Sequence, residues 1–550
     1  METQRIWGTL DPFYETGPIL GRKVANIGFL SGLLNANPFD EYHFFLSGGG
    51  IRKGLQDFLE RNFPALENSG RVKIMDRRDL PAAIGSTEYF CFHQSDCIVY
   101  PPHLARLRNM YAANIFPVTG TTHSLSYANY GSCFLNYLWK GTTERDCIVA
   151  TSGPGAKVVE NYLAHLREGY GLDEKEFPSP QIRKIPLGIN PGPFTPPETA
   201  EKKLAAEELG LGGDRVNILV FGRIAHYSKM DLIPLLRAMQ KLFAAGTDRD
   251  KVRLVLAGWI DDDDDFPGTL TQLAKNMGLE LVIIARPSDK IKLSLYRAAD
   301  IFVSISDNPQ ETFGLTILEA GAMGLPVVAS EYDGYRDLIV DGKTGFLIET
   351  IGTPATADLD PMAQLCFDNQ YHLIMAQQTA ILTPKLAAAL QELISNPALR
   401  EDMGRAGAER VHSMFTWKQV ILQHVKLWEE LNTAPVDRES LRKLLHPAQV
   451  RFGETFAHYT TSTLGPDTSV VTGMTGRAIY HGREFPLIYR GLERILEQEI
   501  IRKMAFFARK PIRAKDLEGK IRTLAPNLSD DEIRFHILWS IKHDILEKAC

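Results

Sequence analysis

The chain has few of the features that mark membrane, disulfide-rich or metal-dependent proteins. None of its 550 residues fall in an apolar run long enough for a spanning helix, which needs about 18 or more. The opening METQRIWGTLDPFYETG has no apolar core of signal-peptide length, so the expected location is the cytoplasm. Only six cysteines occur (Cys91, Cys97, Cys133, Cys147, Cys366, Cys550), and none forms a Cys-x-x-Cys pair. This predicts reduced thiols and excludes a disulfide framework or a structural zinc knuckle. No Cys or His pair has metal-ligand spacing. The one dense carboxylate run, DDDDD at 261–265, reads as a solvated loop, so no metal is expected. Positive charge is not in excess: 61 Lys and Arg face 67 Asp and Glu, a net charge of −6, which excludes a globally basic nucleic-acid binder. Short-period repeats are absent.

What is present is ordinary globular composition, 44% hydrophobic and 23% charged, at a length that predicts several domains. Residues 1–195 alternate short apolar segments with helical patterns. Strands are expected at 5–10, 42–46, 72–75, 89–92, 116–119 and 147–150, with helices such as 24–34 and 54–61 between them. Such alternation predicts a parallel sheet wrapped by helices. The stretch PGPFTPP at 191–197 is a linker signal. The pattern then repeats over 196–435, with strands at 217–221, 253–257, 281–284, 301–304 and 327–329 and helices at 198–209, 231–244, 288–298, 315–323 and 384–395. The fold class is α/β: two Rossmann-like, doubly wound domains in series. Open sheets of this kind bind ligands beyond the carboxyl ends of their strands, so a cleft between the domains is the expected site. Residues 446–550 form a third region, irregular or β-rich at first and then helical over 489–508, 513–524 and 529–547. It reads as a small, mostly helical, winged-helix-like module.

Two stretches carry chemistry. In 301–348, IFVSISDNPQETFGLTILEAGAMGLPVVASEYDGYRDLIVDGKTGFLI, a strand runs into a polar loop and then into a helix starting near Leu315. Gly314 permits close backbone approach, and the free amides at the helix start suit a phosphate. Glu311 and Glu319 are eight positions apart and offer carboxylate acceptors to sugar or ribose hydroxyls. In FGRIAHYSKM at 221–230, Gly222 follows a strand and two cations, Arg223 and Lys229, lie six residues apart. A contact ion pair at an effective dielectric near 20 is worth about 4 kcal/mol before desolvation. Such cations would offset charge growing on a departing diphosphate.

These residues resemble the retaining GT-B glycosyltransferases, most closely their large fourth sequence family, the sugar-nucleotide-dependent group 1 enzymes. Glu311 and Glu319 look like the family's paired glutamates, and Gly222–Arg223 with Lys229 looks like its donor-phosphate pair. KIPLGINPGPF at 184–194 resembles the junction into its second domain, 330–348 its downstream turn and strand, and 386–417 its closing helices. The resemblance implies that Glu319 holds the donor ribose, that Glu311 holds sugar hydroxyls, and that the backbone of Phe313, Gly314, Leu315 and Thr316 meets sugar and phosphates. It implies that Arg223 and Lys229 take the diphosphate, and that Gly17 and Gly21 belong to a glycine-rich loop beneath the donor. His123 in GTTHSLSY resembles the histidine beside the reacting sugar, and His93 in CFHQSD is a weaker counterpart. Catalysis would then rest on His123, Glu311, Arg223 and Lys229. Asn190 and Asp337 stand where the family often has Asp and Glu, and segment 349–382 is longer than usual.

The expected activity is retaining hexosyl transfer from a nucleoside-diphosphate sugar to an unidentified acceptor, with neither metal nor cofactor. The alternatives are a sugar-nucleotide-binding scaffold without transfer activity, or a protein or nucleic-acid contact through the C-terminal module. A basic turn, FARKPIRAK at 507–515, is diluted by Glu493, Glu497, Glu499, Asp530, Asp531 and Glu532. Protein contact or self-association is therefore the favoured role for the module over nucleic acid.

Overall fold

A computed structural model describes residues 4–14, 21–261, 265–353, 355–363, 365 and 369–549. The chain separates into two compact units, Met1–Ala448 and Gln449–Cys550.

The larger unit holds two parallel sheets. The first comprises β1 (Ile6–Thr9), β2 (Glu41–Leu46), β3 (Val72–Asp76), β4 (Cys91–Gln94), β5 (Val118–Thr121), β6 (Asp146–Ala150) and β7 (Gln181–Lys184), in the order β3-β2-β1-β4-β5-β6-β7. The second comprises β8 (Val216–Phe221), β9 (Val252–Gly258), β10 (Glu280–Ala285), β11 (Ile301–Ser304), β12 (Val327–Ser330) and β13 (Gly345–Ile348), in the order β10-β9-β8-β11-β12-β13. The central strands are buried end to end because helices cover both faces, so they read as unbroken apolar runs. Strand order reverses between β1 and β4 and again between β8 and β11, which opens a crevice at each sheet's carboxyl edge. Two expected sheets are thus found, with β7 added at an edge. Its sequence QIRK is partly exposed and carries no apolar run to betray it.

The helix Trp417–Thr433 shows where the 196–435 boundary needs correction. Trp417, Val420, Ile421, Leu427 and Trp428 lie in the core of the first lobe with Trp7, Phe29, Leu33 and Phe44. Trp428 Nε1 donates to Thr119 Oγ1 on β5 at 3.0 Å. The chain therefore crosses back and ends its larger unit on the lobe where it began. Glycine makes the seam: a Cβ on Gly28 would lie 2.4 Å from the Trp417 indole, and one on Gly32 2.8 Å from Trp417 Cβ.

In the smaller unit, β16 (Ser469–Thr472) is the middle strand of an antiparallel sheet between β17 (Ile512–Arg513) and β18 (Leu546–Lys548). Helices Gln498–Phe507, Ala514–Leu524 and Asp530–Lys542 pack on it through Ile500, Met504, Leu517, Ile521, Ile533 and Ile537. Two expected boundaries move. The helix expected from 489 begins at Gln498, because Gly491 at φ +98° breaks the helical path. The helix expected over 529–547 stops at Lys542, where Asp544 at φ +56° turns the chain into β18. Ser529 and Glu532 form the capping box at its start. Among the described residues, no helix is long and apolar enough to cross a membrane.

Candidate active site

The second-lobe site is built by two loops that leave adjacent strands. After β8, Arg223 Nη2 donates to Ser228 O at 3.0 Å, which folds the loop and brings Lys229 back toward the sheet. After β11, residues 305–314 run to Glu311. The loops are interlocked: Ser306 Oγ donates to Lys229 O at 3.1 Å, Asn308 Nδ2 to Tyr227 O at 3.0 Å, and the Asp231 amide to Asp307 Oδ2 at 3.3 Å. Lys229 Nζ and Glu311 Oε2 form an ion pair at their meeting point. Burial alone would raise the Glu311 carboxyl, but the Lys229 charge and the Phe313 and Thr312 amides hold it below the ordinary range.

Gly314 (φ +109°) turns the chain into the helix Leu315–Ala322. A Cβ there would meet the Tyr335 ring at 2.6 Å, so glycine is needed for both conformation and space. The helix start carries no side-chain cap, and Thr316 Oγ1 is buried with no protein hydrogen-bond partner. A buried hydroxyl beside uncapped amides is suited to a ligand oxygen.

Glu319 is engaged by protein groups. It is 5% exposed, accepts from Lys292 Nζ at 2.5 Å and from the Tyr296 hydroxyl at 2.9 Å, and so lies in a buried polar pair. Glu311 and Glu319 thus do not present two open carboxylates. Lys292 also lies over the Phe194 and Phe221 rings, at 5.4 and 5.3 Å from their centroids.

Three carboxyl groups at the strand ends escaped sequence reasoning. Burial, with Glu311 close by, pushes Asp333 up to about 8. Burial, with Asp231 close by, pushes Asp307 up to about 7, and its Oδ1 has no hydrogen-bond partner. Near neutral pH Asp333 keeps most of its proton and Asp307 is part-protonated, so neither adds full negative charge to the pocket. In the first lobe, burial and neighbouring Asp96 push Asp11 up to about 6 against the opposing Ser95 bonds and Arg77 charge. Its Oδ2 accepts from the Ser95 amide and hydroxyl at 2.8 and 3.0 Å. The only sequence signal for Asp11 was its place directly after a strand.

His123 follows β5 and bonds Ser95 O through Nε2 at 2.8 Å, so Asp11, Ser95 and His123 form one cluster. His93 is a core residue. Its nitrogens meet Thr119 and Thr121 hydroxyls, and its ring packs among Phe29, His424 and Trp428. Gly21 begins the helix Gly21–Ala36, and Gly17 lies outside the described residues. Gly222 adjoins the floor of the second site, where a Cβ on neighbouring Gly258 would fall 1.7 Å from Gly222 O. Asp337 reaches between the lobes. Its Oδ2 accepts from the Gly153 amide at 2.5 Å and lies 3.6 Å from Lys184 Nζ. Among the described residues, no group of three or more His, Cys, Asp or Glu is placed to hold a metal ion.

Residues 201–357 match the family model of the glycosyl transferases group 1. A D-inositol 3-phosphate glycosyltransferase from Geodermatophilus obscurus is 32% identical over 210 residues, 38% of this chain and 42% of that protein. One from Catenulispora acidiphila is 36% identical over 172 residues, 30% of this chain and 39% of that protein. The chain thus spans about two-fifths of the length of these curated relatives. Among solved structures, a glycosyltransferase from Rickettsia africae matches with a TM-score of 0.52 and 18% identity, over 79% of this chain and 100% of that one. Anabaena HepE in complex with UDP matches with a TM-score of 0.51 and 14% identity, over 78% and 100%. The two-lobed fold is GT-B.

Proposed function

We propose that the protein is a retaining glycosyltransferase that moves a sugar from a nucleoside-diphosphate sugar to an acceptor hydroxyl without a metal ion. The observation that carries this reading is the convergence at one crevice of Lys229, Arg223, the uncapped start of the helix Leu315–Ala322 and the unpartnered Thr316 hydroxyl. Cations and amides so placed would bind a diphosphate and offset its charge as it leaves. Protonated Asp333 and part-protonated Asp307 lessen the repulsion that diphosphate would meet. Glu311, held ionised, accepts from sugar hydroxyls. The carbon–oxygen bond to the diphosphate breaks while the acceptor oxygen bonds to the same face, and the acceptor's hydroxyl proton passes to the departing diphosphate oxygen. The cluster of His123, Ser95 and Asp11 faces the acceptor side in this scheme. The UDP complex of the HepE neighbour makes uridine nucleotides the first donors to try.

The test is a thermal-shift screen of UDP and nucleotide sugars, followed by turnover. A true donor stabilises the fold by mass action. Lys229→Ala is expected to cut transfer at least 100-fold with the fold intact, a loss typical of removing one transition-state charge contact. Wild-type turnover by that variant would overturn the assignment.

For the module, the described charges favour protein contact. Arg513 and Lys515 of the basic turn pair with Asp516 and Asp467, and Arg522 pairs with Asp530. Leu524 and Leu538 are instead exposed, at 49% and 50%.

A further inference from the structure

Beyond β13, a short hairpin of β14 (Thr350–Ile351) and β15 (Ala380–Ile381) frames a segment whose described part includes the helix Asn369–Ala376. On that helix His372 is 2% exposed, and its Nε2 lies 2.9 Å from Ser126 Oγ in the other lobe. Its ring packs edge-on against Tyr127, with centroids 5.9 Å apart. Ser126 and Tyr127 belong to the loop that begins with His123. At the other end, Gln377 Nε2 donates to Asp231 Oδ2 at 3.3 Å, two residues beyond Lys229. Thr379 hydrogen-bonds Tyr332, the neighbour of Asp333. The Leu382 amide and Lys385 return the segment to Glu349. One short stretch of the second lobe thus touches the first-lobe loop carrying His123, the second-lobe loop after β8 and the turn after β12.

We propose that residues 369–381 form an interlobe latch, and that His372 is a positioning residue that fixes the acceptor-side loop against the donor pocket. The inference rests on the transfer reading above. Neither His372 nor Ser126 is assigned chemistry. The bond between imidazole and hydroxyl can form only when the lobes are together, so opening them breaks it. With the latch closed, water is kept from the donor carbon and the acceptor loop is held in register. With it cut, donor binding persists while transfer gives way to hydrolysis.

The experiment uses the full chain as wild type, Ser126→Ala, His372→Ala and His372→Gln. Hydrogen exchange is read by mass spectrometry, and UDP-glucose serves as the probe donor. Ser126→Ala is expected to speed exchange in 369–376, across the cleft from the substitution, by roughly fivefold or more, the population shift of one lost hydrogen bond. His372→Ala should do the same in 123–127. His372→Gln, which keeps a side-chain donor and acceptor, should restore part of the protection in both segments. The ratio of UDP-glucose hydrolysis to transfer should rise in the alanine variants while the thermal shift with UDP stays as in wild type. Exchange confined to the substituted segment, with none across the cleft, overturns the latch. If UDP and nucleotide sugars leave the wild-type melting point unmoved, the donor reading is what fails, and the exchange measurement still decides the latch.

Discussion

Lys229 Nζ and Glu311 Oε2 meet although 82 residues separate them in the chain. They do so because β8 and β11 are neighbours at the point where strand order reverses, so the loops after those strands share one crevice. The pair is 17% and 11% exposed, so either charge left alone would be poorly solvated. Lys229→Met should therefore cost about 2–4 kcal/mol of stability, and adding Glu311→Gln should return much of it. Urea denaturation checks the cycle. Activity should be absent from both single variants and stay absent from the double variant, which separates the structural role from the chemical one.

Glu319 makes a different forecast. Its carboxylate satisfies Lys292 and Tyr296 in a buried setting, so Glu319→Ala should destabilise by about 3 kcal/mol or more. Glu319→Gln can still meet the tyrosine hydroxyl and should lose less. A melting point for Glu319→Ala within a degree of wild type would show that the buried pair contributes little.

The Asp333 carboxyl predicts a pH dependence. Its folded value of about 8 stands above the ordinary 3.8, so the folded state holds its proton more tightly than the unfolded chain. The stability this gives is complete in acid and is lost as pH rises toward and through 8. Asp333→Asn removes the titration and, unlike most residues, tolerates the positive φ of 43°. The variant should gain on wild type by about 3–4 kcal/mol between pH 5 and pH 8.5. Chemical denaturation at the two pH values measures this, and a gap that does not change with pH speaks against it.

His424, on the helix that crosses back, has the opposite sign. Burial depresses its imidazole to about 4, against the bond to Val420 O. The unfolded chain then takes up the proton first, so stability falls as pH drops from about 6.5 toward 4. His424→Gln should flatten that decline, as followed by thermal melts across the range.

The seam around Trp417 gives a steric forecast. Gly28→Ala places a methyl 2.4 Å from the indole, and the helix Trp417–Thr433 must shift to admit it. A cost of about 1–3 kcal/mol is expected, read by melting point and by faster amide exchange along that helix.

Much of this architecture was visible in the sequence wherever one short segment sufficed. Buried parallel strands appear as unbroken apolar runs, so β8, β9, β11 and β12 were found within a residue or two. Arg223, Lys229, Glu311 and Gly314 stood out in the sequence because all lie in segments that lead from a strand to the next helix. What stayed hidden depends on distant partners. The engagement of Glu319 needs Lys292 and Tyr296 from another helix. The raised carboxyls of Asp307 and Asp333 arise from burial, which no spacing reveals. The crossing of the helix Trp417–Thr433 leaves glycines at 28, 32 and 188 as its trace, and those at 28 and 32 read as ordinary helix positions. β18 was mistaken for helix because its few residues continue an apolar pattern that only the sheet redirects.

The position of β16 bears on how the smaller unit can be dissected. Its ladder partners lie 40 and more residues downstream, at 512–513 and 546–548. An excised fragment cut just ahead of Gln498 would keep three helices yet strip the ribbon joining its two outer edges, leaving a pair of orphaned backbones open to aggregation. Any expression boundary that preserves a foldable piece must start upstream of Ser469.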